Sequence, residues 1–159
     1  MNGHRQKRIE VMRIIICIWA AVILAACTQN PTWEPILISK DVCHYCKMVI
    51  TDKRFGAEFV TQKGKIYKFD AVECMGHFLE DNKNLIGTAY VVDSFSESKL
   101  IEIKKAHFIH DPQIRSPMGK GILATESIDK LNEKNINKLP VLEWNEISKL
   151  IGRPELINL

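Results

Sequence analysis

The sequence predicts an α+β fold built as two tandem ββαβ halves, each a small antiparallel sheet carrying one helix. Three observations lead there. Residues 58–62 and 65–69 alternate apolar with polar side chains on either side of Lys63-Gly64, the pattern of a β-hairpin. A run with apolar residues three and four apart begins directly after it, and the same order of segments recurs loosely after residue 98. The 159 residues suffice for one domain, or for two small halves sharing a core.

In chain order, residues 1–26 read as a lipoprotein signal peptide. A basic stretch ending at Arg13 leads into an apolar run over 14–26, the length of a signal core and too short to span a bilayer comfortably. It closes in Leu24-Ala25-Ala26-Cys27, which resembles the bacterial lipoprotein signal, whose cysteine becomes the first mature residue and carries acyl chains. Two or more chains, at roughly 0.8 kcal/mol per buried methylene, would hold the protein stably on a membrane. The expectation is a membrane-anchored lipoprotein facing the periplasm, lipidated at Cys27. Residues 27–40 hold Pro31 and Pro35 and show no periodicity. They read as a lipid-anchored tether with a reach of about 40 Å at roughly 3.3 Å per residue.

The first half, 41–98, opens with Asp41-Val-Cys43-His-Tyr-Cys46-Lys-Met48, and Met48-Val-Ile-Thr51 should start a short strand before a turn at 52–56. After the hairpin, Asp70 stands three residues before Glu73, an N-cap with its capping-box partner, so residues 71–82 should be helical. Val72, Met75 and Leu79 share one face of that helix, while Cys74 and His77 lie one turn apart on another. Residues 88–92 return as a strand. In the second half, 99–159, residues 100–103, 106–109 and 121–124 are strand-like, the last after the turn Ser116-Pro-Met-Gly119. A helix should follow Thr125 with Ile128 and Leu131 on its buried face, then a strand over 139–144 and a short terminal helix over 145–151.

Charge and cysteine content narrow the function. Residues 1–26 hold four basic residues (Arg5, Lys7, Arg8, Arg13) and one acid (Glu10); without them the chain has 18 basic and 18 acidic residues. A neutral mature protein lacks the electrostatic footprint of a nucleic-acid binder. No hydrolytic triad, phosphate-binding glycine loop or paired carboxylates stand out, so the reading is of a non-enzyme. Of five cysteines, Cys17 leaves with the signal and Cys27 is consumed by lipidation. The odd set Cys43, Cys46 and Cys74 argues against a closed disulfide framework, and free thiols persist in an oxidising compartment when something binds or recycles them.

The candidate metal ligands are Cys43, Cys46, Met48, Cys74, Met75, His77 and Met118. Mostly sulfur, they suit a soft ion and dismiss calcium and magnesium. The spacing Cys43-x2-Cys46-x27-Cys74-x2-His77 would also serve a closed Cys3His zinc site. Zinc leaves the methionines unexplained: a thioether is a neutral, soft ligand that suits Cu(I) and needs no proton removed. Several candidates have a plainer explanation. Met75 has core spacing, His77 could face solvent, and Cys74, at a helix start where the macrodipole lowers a thiol's pKa, could equally be a small buried residue. His107 and His110, on a strand, read as structural. A further alternative is a thiol oxidoreductase built on Cys43-His-Tyr-Cys46. That chemistry places the first thiol at a helix start, whereas the residues after Cys46 favour a strand.

Together the Cys27 lipobox, the Asp41–Met48 stretch, Arg54-Phe-Gly-Ala-Glu58, Lys65-Ile-Tyr-Lys-Phe-Asp70 and Ser116-Pro-Met-Gly119 resemble the NosL family across essentially the whole mature chain. These are lipoprotein copper chaperones associated with assembly of nitrous oxide reductase. The resemblance implies carriage of Cu(I) to the copper centres of that reductase, with a membrane maturation complex as partner. It supports Cys46 and Met48 most strongly, then Cys43, and Met118 through its turn. The pair Cys74-Met75 resembles a feature of only part of the family, which leaves its role open.

Overall fold

The structure, a computed structural model, describes Met12 and residues 32–96, 99–133 and 139–152. Cys27 and, apart from Met12, the whole signal segment lie outside the described residues. The described residues from 32 onward belong to one compact unit.

The hairpin forms where expected. β1 (Ala57–Thr61) and β2 (Ile66–Phe69) pair antiparallel with Phe59 opposite Tyr67, and Gly64 takes the left-handed conformation (φ 80°) that closes their turn. α1 (Val72–Asp81) follows, then β3 (Gly87–Val92), which pairs with the other side of β1. Gly87 is required by this pairing: a Cβ there would stand 2.2 Å from the Val60 carbonyl oxygen and 2.9 Å from the Phe59 ring. The apolar face of α1, with Val72, Met75 and Leu79, covers this sheet and joins Phe59, Phe69 and Val91 in the core.

The start of α1 departs from expectation. Its N-cap is Ala71, with no side-chain hydrogen bond, and both Asp70 and Glu73 are buried, each with a carboxylate oxygen lacking a hydrogen-bond partner. The supposed capping box is not formed, because tertiary burial has drawn both carboxyls inward.

β4 (Leu100–Glu102) also differs in role. It pairs antiparallel with β3, so it completes a first sheet of order β2-β1-β3-β4. A single 3-10 turn, Ile103–Lys105, then carries the chain into the second sheet. That sheet consists of β5 (His107–His110), β6 (Ile122–Thr125) and β7 (Val141–Leu142) in the order β6-β5-β7. Between β6 and β7 lies α2 (Asp129–Glu133), and α3 (Trp144–Leu150) closes the described fold. β5-β6-α2-β7 thus repeats the connectivity of β1-β2-α1-β3, and the central strand comes first in both halves. In α2, Leu131 is buried but Ile128, expected beside it, is exposed, since it precedes the helix. The last strand is only two residues long because Trp144 is already helical and buried against Phe108, ring centroids 6.1 Å apart. Glu143 caps α3 in a capping box with Glu146 and also meets His107 Nδ1 at 3.1 Å, which gives that histidine a structural partner.

Residues 34–40, expected within the tether, lie against the fold. Glu34 N–H donates to Glu58 Oε1 (3.0 Å), Ile36 is buried, and Lys68 Nζ donates to Pro35 O (2.9 Å).

Candidate metal centre

The segment 41–50 turns back on itself. Val42 and Val49 form an isolated antiparallel bridge, flanked by Cys43 N–H to Met48 O (2.9 Å) and Ile50 N–H to Asp41 O (2.9 Å). The strand expected from Met48 is therefore a single bridge. Inside it Lys47 N–H reaches Cys43 O (3.1 Å), and Lys47 adopts φ 64°, a left-handed conformation rare away from glycine. This tight return brings Cys46 back over Cys43.

Edge strand β2 holds the loop in place. His44 N–H donates to Lys68 O (2.9 Å), and His44 Nδ1 accepts Lys68 N–H (3.1 Å). Lys68 Nζ reaches across to Asp41 Oδ2 (2.9 Å), which also accepts Leu37 N–H (2.7 Å). Burial raises the Asp41 pKa, but these bonds outweigh it and hold the carboxyl below its ordinary range.

α1 delivers the third sulfur. The Sγ atoms of Cys43, Cys46 and Cys74 all lie within 4.8 Å of one another, and all three thiols are free. Cys43 and Cys74 are fully buried, while Cys46 is half-buried and forms the open side. The donors around Cys43 decide where the charge sits. Chiefly the Cys74 thiol, and then the backbone groups of Asp70, Cys46 and Tyr45, hydrogen-bond its sulfur and outweigh burial, lowering the Cys43 pKa to about 5. Bonded to that thiolate and buried, Cys74 keeps its proton, its pKa pushed far up. Burial raises Cys46 as well. The shared hydrogen bonds thus favour the thiolate on Cys43 and the protonated form on Cys46 and Cys74.

The remaining candidates separate. In the bridge register Met48 stands opposite Cys43, so their side chains leave the same face of the ladder, and Met48 is 48% exposed. Met75 is fully buried in the core. His77 is half-buried and stacks on Tyr45, ring centroids 5.2 Å apart at 16°. Among the described residues the His, Cys, Asp and Glu side chains close enough to share one ion are the three cysteines, and His77 is not with them. Met118, half-buried in the turn closed by Gly119 N–H to Ser116 O (3.0 Å), packs against the group of Phe55, Ala71 and Leu123 as well as the main core. Ala71 immediately precedes α1, so Met118 comes from the second half toward the helix that carries Cys74.

Three contributors escaped the sequence reading. Tyr45 stacks over His77 and points its backbone at the Cys43 sulfur; Asp70 does the latter from the start of α1; and the buried Glu73 carboxylate accepts the Lys120 N–H, tying that helix to the turn of Met118. The only sequence signal for the last two was the pair of acids that resembled a capping box.

Three sulfurs carrying one negative charge, open on one side, suit a soft cation of low coordination number. The NosL family model matches residues 36–130 of the chain. Among solved structures, the chain resembles the crystal structure of the copper chaperone NosL from Shewanella denitrificans at 20% identity and a TM-score of 0.58, over 74% of this chain and 96% of that one. No curated protein matches the sequence significantly.

Proposed function

Since the chain belongs to the NosL family, we propose that it is a non-catalytic carrier of Cu(I). The observation that carries this reading is the cluster of Cys43, Cys46 and Cys74 with its sulfurs within 4.8 Å. Zinc in a closed structural site takes four ligands, and the histidine available for the fourth place, His77, is stacked on Tyr45 instead. A soft monovalent ion is satisfied by fewer, softer donors.

The chemistry follows from the proton arrangement. Cys43 is already a thiolate and offers the first bond; Cys46 and Cys74 join by losing their protons, so loading is favoured as pH rises. Met48, leaving the same ladder face as Cys43, supplies a thioether with no proton to lose. Cys46 and Met48 stand on the exposed side, where a partner's ligand can enter before one of the carrier's own leaves. A thiol oxidoreductase needs its thiolate accessible to a substrate disulfide, and here the thiolate is on Cys43, at 0% exposure.

The client we propose, on the family resemblance, is nitrous oxide reductase, served with its membrane maturation complex. The site of action is the periplasmic face of a membrane, to which acylated Cys27 anchors the chain. The test is a competitive Cu(I) and Zn(II) titration of the reduced protein, with stoichiometry from native mass spectrometry. One Cu(I) held tightly, lost in Cys46→Ser, with weak zinc, is the expected result. Tight zinc and weak copper would overturn it.

A further inference from the structure

Beside the open edge of the sulfur cluster lies a surface whose residues are of the wrong kind for water. In the segment 36–50 the inward positions are Ile36, Ile38, Cys43 and Ile50, buried or packed against the core. Alternation puts Leu37, Val42 and Val49 outward, where an exposed ladder ordinarily carries polar residues. All three are aliphatic and about half exposed, at 50%, 46% and 46%. Val42 and Val49 are cross-strand partners, and Leu37 O accepts the N–H groups of Lys40 and Asp41, which places Leu37 at the end of the same ladder. Tyr45, in the same loop, adds exposed ring surface, and Trp33 precedes the patch in the chain. Lys40 and Lys47 are exposed; Lys47 Nζ donates to His44 O (2.6 Å), and among the described residues no carboxylate lies within ion-pair distance of either.

We infer that this patch seats on an anionic lipid surface, so that the metal-bearing end of the domain faces the bilayer. The inference rests on the lipoprotein reading above. Its second support is the length of chain between anchor and fold. Residues 34–40 are packed on the domain, with Glu34 bonded to Glu58 and Pro35 to Lys68, and cannot serve as free tether. From Cys27 to Trp33 there are only 33 − 27 = 6 residues, which span at most about 20 Å when fully extended. A domain held that close, by the end that bears the knuckle, presents this patch to the head groups. Aliphatic side chains, an interfacial Trp and Tyr, and lysines whose amines reach lipid phosphates are the composition such a surface takes. A copper donor or acceptor must then approach the sulfur cluster close to the membrane surface.

The test uses the mature acylated protein in vesicles of phosphatidylethanolamine and phosphatidylglycerol carrying brominated acyl chains, with tryptophan fluorescence as the readout and Trp33→Phe to assign the signal. Trp144, at 5% exposure in the core, is the internal control. Severalfold quenching of Trp33 alone, abolished in Val42→Asp/Val49→Asp and in Leu37→Glu, the latter with the Cu(I) stoichiometry retained, is the expected result. An unquenched Trp33 on protein shown by mass spectrometry to be acylated overturns the inference and assigns the patch to a protein partner. If mass spectrometry finds no acyl chains, the lipoprotein reading has failed separately. Flotation of the unacylated protein with the same vesicles then decides: binding lost in the Val42/Val49 variant upholds the lipid seat, and no binding refutes it. Should the double variant misfold, Leu37→Glu, outside the bridge, serves in both assays.

Discussion

Glu58→Gln should flatten the protein's stability between pH 5 and 8. Glu58 lies in the middle of β1 with 0% exposure; one carboxylate oxygen accepts Glu34 N–H (3.0 Å) and the other has no partner. Burial outweighs that bond and the attraction of Lys68, so its pKa rises from 4.5 to about 7. Between those values the folded chain binds a proton that the unfolded chain has released, so unfolding free energy falls as pH rises through the window and levels off above about 7. At about 1.36 kcal/mol per pH unit, the full loss is at most about 3 kcal/mol, a large fraction of a small domain's stability. Glutamine keeps the oxygen that Glu34 needs and cannot ionise. Urea unfolding of both proteins at pH 5, 6, 7 and 8 reads the difference directly. Asp70, pushed up to about 6 chiefly by burial, and Glu73, also raised by burial, share the direction in both proteins, so the difference between variant and parent over this interval reports Glu58. Parallel stability curves for variant and parent across that interval would refute the reasoning.

Met48→Leu keeps the volume of an exposed side chain and removes its sulfur, so Cu(I) affinity should drop by tenfold or more while the apo Tm hardly moves; a large fall in apo Tm with unchanged copper binding would make Met48 a packing residue. The ultraviolet absorbance of the reduced apo protein at pH 7 should show one thiolate, which disappears as pH falls through about 5 and is missing in Cys43→Ser. Because that pKa is depressed on folding from 9.0 to about 5, the stability it contributes is complete only above about pH 9 and is lost as pH falls from there toward 5. Gly87→Ala would put a Cβ 2.2 Å from the Val60 carbonyl and should cost about 3 kcal/mol or more, seen as a lower Tm; a cost under about 0.5 kcal/mol would mean that β3 is not held against β1 as described.

Local pattern made much of this fold readable. Alternation about Lys63-Gly64 marks the first hairpin, and Val72, Met75 and Leu79 mark the buried face of α1, because both signals are written within a few residues. The partner of a strand is not written that way. Leu100–Glu102 looks like a strand from its residues alone, but only the free edge of β3 makes it part of the first sheet. The same limit applies at the site. Cys43 and Cys46 are legible from their spacing, whereas Cys74 could be read as ligand or as core, and in the structure it is fully buried and within reach of both other sulfurs. Asp70 and Glu73 were legible as a cap and are none, since burial of both carboxyls overrides a local preference worth about 1 kcal/mol.

The placement of β4 has a consequence for how the chain can be cut. A fragment ending before residue 99 would contain the three cysteines and a seemingly whole ββαβ unit, yet it would leave the β3 edge bare along Tyr90, Val91 and Val92. Unpaired, largely apolar edges recruit strands from other molecules. The same fragment would lose Ile101, Ile103 and Phe108 from a core that both halves share. Half of this protein should therefore aggregate or borrow the missing strand from a second molecule. A minimal metal-binding version has to run past Phe108, and any refolding chain is exposed to strand exchange until residues 100–102 have docked.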